Sequence, residues 1–460
     1  MPSRRRICVV GLDGANEYII DIMNLKHLGT FATLISTLPP YTPPAWTSIL
    51  TGVNPGKHGI FGFIAFDDGE PKSVTAFDVK YPRLFEILAF HKLRSVVINT
   101  PLTYPPSALV GLKRLTLVSD WASPKQAIWP SELHVRYKEY LVDPPHAWYK
   151  YEDPKEYVKA VEEYLRKRLE LYSDLMETLE WDFFFTIFSE IDWVLHKIPS
   201  VLRGNSNLIG NILYLIKRFV KRAIMHSDFL LIVSDHGFEE KYIELNINSV
   251  LRKYGLLKYR YLMSSKNLRF LNPLLTVVPE SFLRHLMLTS VGRRLFSEEI
   301  TYSRSLAFIA EPAAQGVYLK DEGYCNVLKK LISSLPGILS VHTREEVYWG
   351  PHVRKFPKLI VSLKPHVKLG LSAAFPPVVR TYAGDHNAKG IFLLIGESVE
   401  KGTHLKPLRV YDITPTILGL FNLPLPFDSD GLPLGVGGVL RKENYLLRFK
   451  LARAKARFMR

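Results

Sequence analysis

Six short apolar runs that each end abruptly in small or polar residues constrain this chain more than any other feature. They are Ile7–Leu12, Ser95–Ile98, Phe183–Phe188, Phe229–Val233, 359–361 and 391–394. All are rich in β-branched or aromatic residues, and none alternates strictly between polar and apolar. A strand with one wet face alternates, whereas a strand covered on both faces reads as an unbroken apolar run. Between the runs lie segments with apolar residues at steps of three and four. The clearest is 157–179, which carries Val158, Val161, Leu165, Leu169, Tyr172 and Leu175 among many charges; 410–420 is a second. Strands alternating with helices predict an α/β sandwich with a largely parallel central sheet and helices on both faces.

The 460 residues, 47% of them hydrophobic, exceed what one core usually holds, so a second lobe is expected. The stretch 241–375 is basic and broken by Pro and Gly. It reads as an inserted cap that partly rejoins a core formed by 1–240 and 376–440. Residues 441–460 form a basic helix or tail with eight Lys/Arg against one Glu. Tyr445, Leu446, Phe449 and Leu451 could give it a short apolar face; docking on the protein's own surface ranks first, and weak association with an anionic membrane or nucleic acid second. The formal net charge of +16 favours anionic partners without naming them. Cys8 and Cys325 are the only cysteines, which gives neither a disulfide framework nor a zinc knuckle. The basic start MPSRRR leads into too short an apolar run for a signal peptide, and no stretch is long enough to cross a bilayer. The expectation is a cytoplasmic enzyme, with peripheral attachment at the inner membrane surface left open. A small anionic substrate is expected, and no stable nucleic-acid partner.

Chemistry-bearing residues gather at the ends of the runs. Asp13 follows ICVVGL, where open α/β sheets place their ligands; a turn aspartate is the plain alternative. Thr42 precedes Pro43 and Pro44 and reads as the N-cap of a short helix that Gly52 ends. A hydroxyl there faces unpaired backbone donors suited to a phosphate, but becomes a good nucleophile only beside a metal ion. Asp192 and His196 would lie one helical turn apart, a half-site for Zn²⁺ that also arises by chance. Asp235 and His236 follow the run FLLIVS, with Gly237 allowing a sharp turn. His386 precedes the run IFLLIG. Each has a bland reading as a capping, loop or surface residue. Together they count as two sites: Asp13, Thr42, Asp235 and His236 in one, and Asp192, His196 and His386 in the other. Mixed oxygen and imidazole ligands point to two divalent ions, Zn²⁺ first, with Mn²⁺ or Fe as alternatives.

On these residues the sequence resembles the type I phosphodiesterase/nucleotide pyrophosphatase branch of the alkaline phosphatase superfamily. The resemblance rests on T-x-P-x-x-x-S-x-x-T-G at 42–52, the segment Asn54–Pro55–Gly56–Lys57–His58–Gly59–Ile60, D-x-x-x-H at 192–196, S-D-H-G at 234–237 and the glycine-flanked His386. It implies an alkaline-phosphatase-like sandwich and attack by Thr42 on phosphorus through a covalent phospho-threonine. It further implies one ion held by Asp13, Asp235 and His236 to activate Thr42, a second held by Asp192, His196 and His386, and a structural His58. One position departs. Phe63 stands where these enzymes carry an asparagine that binds a phosphate oxygen, and a phenyl ring cannot donate that bond. A backbone N–H near Thr42 or a basic cap residue is expected to replace it, with Asn99 and Lys389 as further substrate-binding candidates. No arginine follows in the sulfatase position, and the ligand pattern differs from cofactor-independent phosphoglycerate mutases.

The function expected is hydrolysis of a phosphodiester or pyrophosphate in a small metabolite. A monoesterase, and a non-catalytic basic protein binding a membrane or nucleic acid, are the alternatives. A diester needs apolar space beside the metals, and Tyr104, Trp121, Trp129 and Trp349 are aromatics that could supply it or simply fill a core.

Overall fold

The first apolar run becomes strand β1 (Ile7–Leu12), and its alternate side chains enter two different cores. Cys8, Val10 and Leu12 face one, and Ile7 and Val9 the other. The strands β6 (Phe183–Phe188) and β7 (Phe229–Val233) divide in the same way. This two-sided covering is why the runs do not alternate. The structure, a computed structural model, describes residues 5–67, 69–264, 272–275, 278, 283, 296–435 and 441–458.

The central sheet adds β2 (Thr30–Ile35), β3 (Ser95–Ile98), β4 (Leu115–Val118), β5 (Ile128–Trp129), β10 (Lys389–Gly396) and β11 (Leu408–Arg409). Its nine strands run in the order β11-β2-β10-β7-β1-β6-β3-β4-β5. The central block β7-β1-β6-β3-β4 is parallel; β10 runs antiparallel to both β7 and β2. The fold is therefore an α/β sandwich on a mixed, largely parallel sheet.

One face is covered by α2 (Pro154–Thr178) and α4 (Gly210–His226). The long helix α2 begins three residues before the apolar pattern does. Asp153 caps it by accepting from the Lys155 amide, and Pro154 occupies the first turn, where no N–H is needed. The other face is covered by α1 (Thr42–Thr51) and α5 (Ile413–Leu420). In α1, Trp46, Ile49 and Leu50 are buried against the sheet, and the Trp46 ring meets Phe185 edge-on at 6.1 Å. Gly11 of β1 admits that ring, since a Cβ there would lie 2.5 Å from the Trp46 ring edge.

The run at 359–361 does not join the central sheet. As Leu359–Leu363 it lies in a separate four-stranded sheet with Ala307–Phe308, Gly316–Leu319 and Ile338–Thr343. Leu359 and Val361 enter a core with Phe308 and Leu328, while Ile360 faces a second cluster with Phe61 and Phe356. Covered on both sides, it carries the same pattern as a central strand, and the pattern alone does not tell them apart. Strand β8 (Gly237–Leu245) runs from the core past residue 241 without a break and pairs with β9 (Val378–Asn387) and Val367–Leu369. Parts of the 241–375 lobe, at 265–271, 276–277, 279–282 and 284–295, lie outside the described residues.

The basic C-terminal segment forms α6 (Tyr445–Phe458) and rests on the protein's own surface. Tyr445 and Phe449 are buried, the His91 ring lies 2.8 Å from the Tyr445 hydroxyl, and the Arg448 guanidinium sits 4.5 Å above the Phe90 ring. No described helix is long and apolar enough to cross a membrane.

Gly11→Ala is expected to push the Trp46 ring out of place and cost about 1–3 kcal/mol, as overpacking of a filled core does. Denaturant unfolding of the two proteins measures it.

Candidate active site

The site grows from three neighbouring parallel strands that end level. Leu12 pairs opposite Phe188, and Gly11 opposite Val233, so the residues that follow β1, β6 and β7 emerge together at one sheet edge. Asp13 comes directly after β1. Asp192 and His196 follow β6 on α3 (Glu190–Lys197), and Asp235 and His236 follow β7. His386 arrives from the far side. It lies opposite Phe238 in the β8–β9 pair, beside the turn that carries Asp235 and His236. Gly237 permits this approach, because a Cβ there would lie 2.1 Å from the Lys389 carbonyl oxygen. Thr42 stands at the start of α1 as its first helical residue, with Tyr41 at the cap position expected for Thr42.

These seven side chains come together. Thr42 Oγ1 lies 3.3 Å from His236 Nε2. His236 Nε2 is 3.6 Å from Asp13 Oδ1 and 3.3 Å from Asp235 Oδ2. His386 Nε2 lies 3.3 Å from both Asp192 Oδ1 and His196 Nε2, and the His236 and His386 rings stack 3.8 Å apart. Among the described residues two compact groups have metal-ligand spacing: Asp192, His196 and His386 in one, and Asp13, Asp192 and His236 in the other. Asp192 is common to both, so it stands between the two positions, while Asp235 flanks the second.

The orientation of each ligand is set from behind. Nδ1 of His236, His196 and His386 lies 3.1, 3.1 and 3.2 Å from the carbonyl oxygens of Gly237, Gly384 and Pro40. A carbonyl only accepts, so each neutral ring carries its proton on Nδ1 and turns the Nε2 lone pair inward. Asp13 Oδ2 accepts from the Ser189 hydroxyl at 3.4 Å, and Asp235 Oδ1 from the Gly14 amide at 3.4 Å. The opposite oxygens, Asp13 Oδ1, Asp235 Oδ2 and also Asp192 Oδ1, are buried and accept no hydrogen bond from the described residues.

Without a cation this arrangement is electrostatically frustrated. Burial, then the charge of Asp192, holds the Asp13 carboxyl above the usual range; burial, then Asp13 and Asp192, does the same to Asp235. Burial raises Asp192 too, but His196 and His386 outweigh it and keep it ionised. Burial and the neighbouring His386 hold His236 well below the ordinary imidazole value. Three inward carboxylate oxygens and three inward imidazole nitrogens, buried except for the half-buried His196 and short of donors among the described residues, fit divalent cations.

The other expectations fall differently. Asn99 is fully buried and does not reach the cluster. Its amide donates to the Ile187 carbonyl and the Ser189 hydroxyl, and its oxygen accepts from the Trp121 amide. It thus stands behind Ser189 and Asp13 as a support rather than as a substrate ligand. Lys389 is exposed at the start of β10, and its ammonium bonds to no described residue. His58 is buried, 3.0 Å from the Ser48 hydroxyl, and burial followed by the charges of His352 and Arg83 brings it down to about 3, so it stays neutral.

Phe63 joins an aromatic wall. Tyr41 stacks on His386 and meets Phe63 edge-on, and Phe63 in turn meets Trp121 edge-on at 5.5 Å. Glu311, from the second lobe, ties this wall down; it accepts from the Tyr41 hydroxyl at 2.8 Å and from the Phe63 and Ile64 amides at 3.1 Å. Sequence reasoning missed Tyr41 and Glu311. Tyr41 had the signal of adjacency to Thr42, whereas nothing distinguishes Glu311 from other lobe acids.

The family model for type I phosphodiesterase/nucleotide pyrophosphatase matches residues 7–371. The chain belongs to that family. It is a phosphoric ester hydrolase of the phosphodiesterase type, within the alkaline phosphatase superfamily. The match stops before His386, whose place in the cluster rests on geometry. Among solved structures, murine ectonucleotide pyrophosphatase/phosphodiesterase 5 is similar with a TM-score of 0.57 and 14% identity, over 93% of this chain and 98% of its own. The human protein of that name gives 0.55 and 12%, over 96% and 99%. Phosphonoacetate hydrolase from Sinorhizobium meliloti 1021, solved with phosphonoacetate, gives 0.54 and 16%, over 89% and 94%. At these identities the likeness is one of fold. No curated protein matches the chain.

Chelator-treated protein is expected to melt higher when a divalent cation is returned, by an amount equivalent to about 2.7 kcal/mol at a hundredfold excess over Kd. Asp192→Asn should lose most of that gain, as read by calorimetry, because Asp192 serves both groups.

Proposed function

We propose that this hydrolase cleaves phosphodiester or pyrophosphate bonds of a small metabolite through a covalent phospho-threonine on Thr42, with two divalent cations, Zn²⁺ foremost and Mn²⁺ or Fe as alternatives. One observation carries the reading: the Thr42 hydroxyl lies beside inward-facing carboxylate oxygens that have no hydrogen-bond partner among the described residues, opposite three imidazoles whose Nε2 atoms also point inward. Asp13, Asp235 and His236 would hold the cation nearest Thr42, and Asp192, His196 and His386 the other, with Asp192 near enough to serve both. Such cations lower the pKa of an attacking oxygen and neutralise charge on the leaving oxygen.

The chain's own residues do the rest. Thr42 Oγ1 is presented at a helix start where Pro43 and Pro44 carry no N–H and the Ala45 amide donates to the Tyr41 carbonyl, so the Thr42 amide is the first-turn backbone donor that can stand in for the asparagine absent at Phe63. In the first step the Thr42 Oγ1–phosphorus bond forms and the bond to the leaving oxygen breaks, the proton lost from the Thr42 hydroxyl passing through solvent to the leaving oxygen. In the second, water oxygen bonds to phosphorus, the Thr42 Oγ1–phosphorus bond breaks, and Thr42 regains its proton. One water is consumed.

The diester reading over the monoester one rests on the wall of Tyr41, Phe63 and Trp121. It gives the second organic substituent an apolar surface beside the site. Of the four aromatics noted in the sequence, Trp121 joins this wall. Trp349 is half-exposed and donates to Asp430, and Trp129 belongs to edge strand β5.

Thr42→Ala is expected to lower hydrolysis of bis-nitrophenyl phosphate by about 10³-fold or more, with chelation abolishing activity and returned metal restoring it. Undiminished turnover in the variant would remove the nucleophile. Trp121→Ala should raise KM for the diester about 5–10-fold, while nitrophenyl phosphate kinetics change little. Faster turnover of the monoester than of the diester by the unaltered enzyme would favour the monoesterase reading.

A further inference from the structure

The turn after His58 and the 352–358 segment of the second lobe meet at a second cleft, of about 370 Å³, that the hydrolytic site does not use. Part of its lining is the 59–66 segment, whose Phe63 and Ile64 amides are held by Glu311. The rest is unusually cationic: Lys72, Lys80, His352, Arg354, Lys355 and Lys358 all line it. Its carboxylates are Asp67 and Asp78. The Asp78 carboxylate accepts from the Thr75 amide and hydroxyl and lies 3.8 Å from Lys72. Lys358 is paired with Glu322 and Glu345, but no described carboxylate pairs with Lys80, Arg354 or Lys355.

Helix α6 adds to this charge rather than relieving it. Lys80 Nζ donates to the Phe77 carbonyl at 2.8 Å, and Arg453 Nη2 reaches the same oxygen at 3.4 Å while its Nη1 donates to the Val79 carbonyl. Two cations therefore share one carbonyl oxygen at the cleft edge. Burial, reinforced by Arg453, Lys355 and Lys72 and opposed by Asp78, holds Lys80 below the usual lysine range. Burial, then Lys355, Lys80 and Lys450, does the same for His352. Cations gathered at a concave, part-buried surface repel one another until an anion joins them.

We propose that this cleft is an accessory binding site for a compact, multiply charged phosphate-bearing anion, separate from the hydrolytic centre. The chemistry selects the class. A chain of phosphate groups offers several charged acceptor oxygens to converging Lys, Arg and His donors, and a volume of this order accepts a di- or triphosphate moiety. The site gives the basic C-terminus a role in the folded protein: α6 buries Tyr445 and Phe449 and thereby brings Arg453 to the Phe77 carbonyl that Lys80 also bonds, at the edge of the cleft.

Inorganic tripolyphosphate titrated calorimetrically into chelator-treated full-length protein tests this, because metal-free carboxylates at the hydrolytic centre repel the probe. The expected result is one saturable site, weakened about tenfold or more by Lys80→Gln with Lys355→Gln, and weakened by added salt. Lys355→Glu alone should also lose binding, and as an exposed, unpaired residue it leaves the fold intact. Lys401→Gln, an exposed cation on another loop, should bind as the unaltered protein does. Unchanged affinity in both cleft variants, or an equal loss in Lys401→Gln, overturns the proposal. Sedimentation with vesicles of phosphatidylcholine and phosphatidic acid separates the sources. Vesicle binding that tripolyphosphate displaces and Lys355→Glu abolishes assigns a lipid headgroup; tripolyphosphate binding without vesicle binding assigns a soluble anion.

Discussion

The whole arrangement depends on the register of β7, β1 and β6. Their ladders bring Val233, Gly11 and Leu12, and Phe188 level, and the catalytic edge is whatever follows. That register is not held by the site, whose three inward carboxylates oppose assembly. It is held by packing on both faces, since a slip of one residue would send each strand's side chains into the wrong core. Burial of the strands offsets the repulsion at their ends, and divalent cations would remove it.

Much of this was legible in the chain because the physics is local. A doubly covered strand must be continuously apolar, and its end must be marked by a polar or small residue. Asp13, Asp235 and His236 stand out for that reason, and α3 puts Asp192 and His196 on one face by helical spacing alone. His386 was harder to read, because its position depends on β8 and β9 pairing across more than a hundred residues of intervening chain, with Gly237 allowing the backbones to touch. The strand at 359–363 shows the opposite limit. Apolarity on both faces reports covering, not which sheet provides it. Asn99 looked available for substrate because a polar residue after a strand often is; its three side-chain partners, Ile187, Ser189 and Trp121, become visible only in three dimensions.

Chemistry and selection come from different parts of the molecule. The cluster around Thr42 is built almost wholly by the central sheet and its loops. The aromatic wall beside it is pinned by Glu311, which belongs to the lobe that sequence pattern describes least well. A single carboxylate bonded to Tyr41, Phe63 and Ile64 means that the lobe's placement is felt at the residue preceding Thr42.

The Nδ1 bonds of His196, His236 and His386 have a wider implication. All three end on main-chain oxygens, of Gly384, Gly237 and Pro40, and not on side chains. Imidazole tautomer and aim are thereby properties of the backbone path. Side chains around the rim are at liberty to drift over generations toward new substrates without disturbing which nitrogen faces the ions, so the reactive apparatus and the recognition surface can evolve on separate clocks.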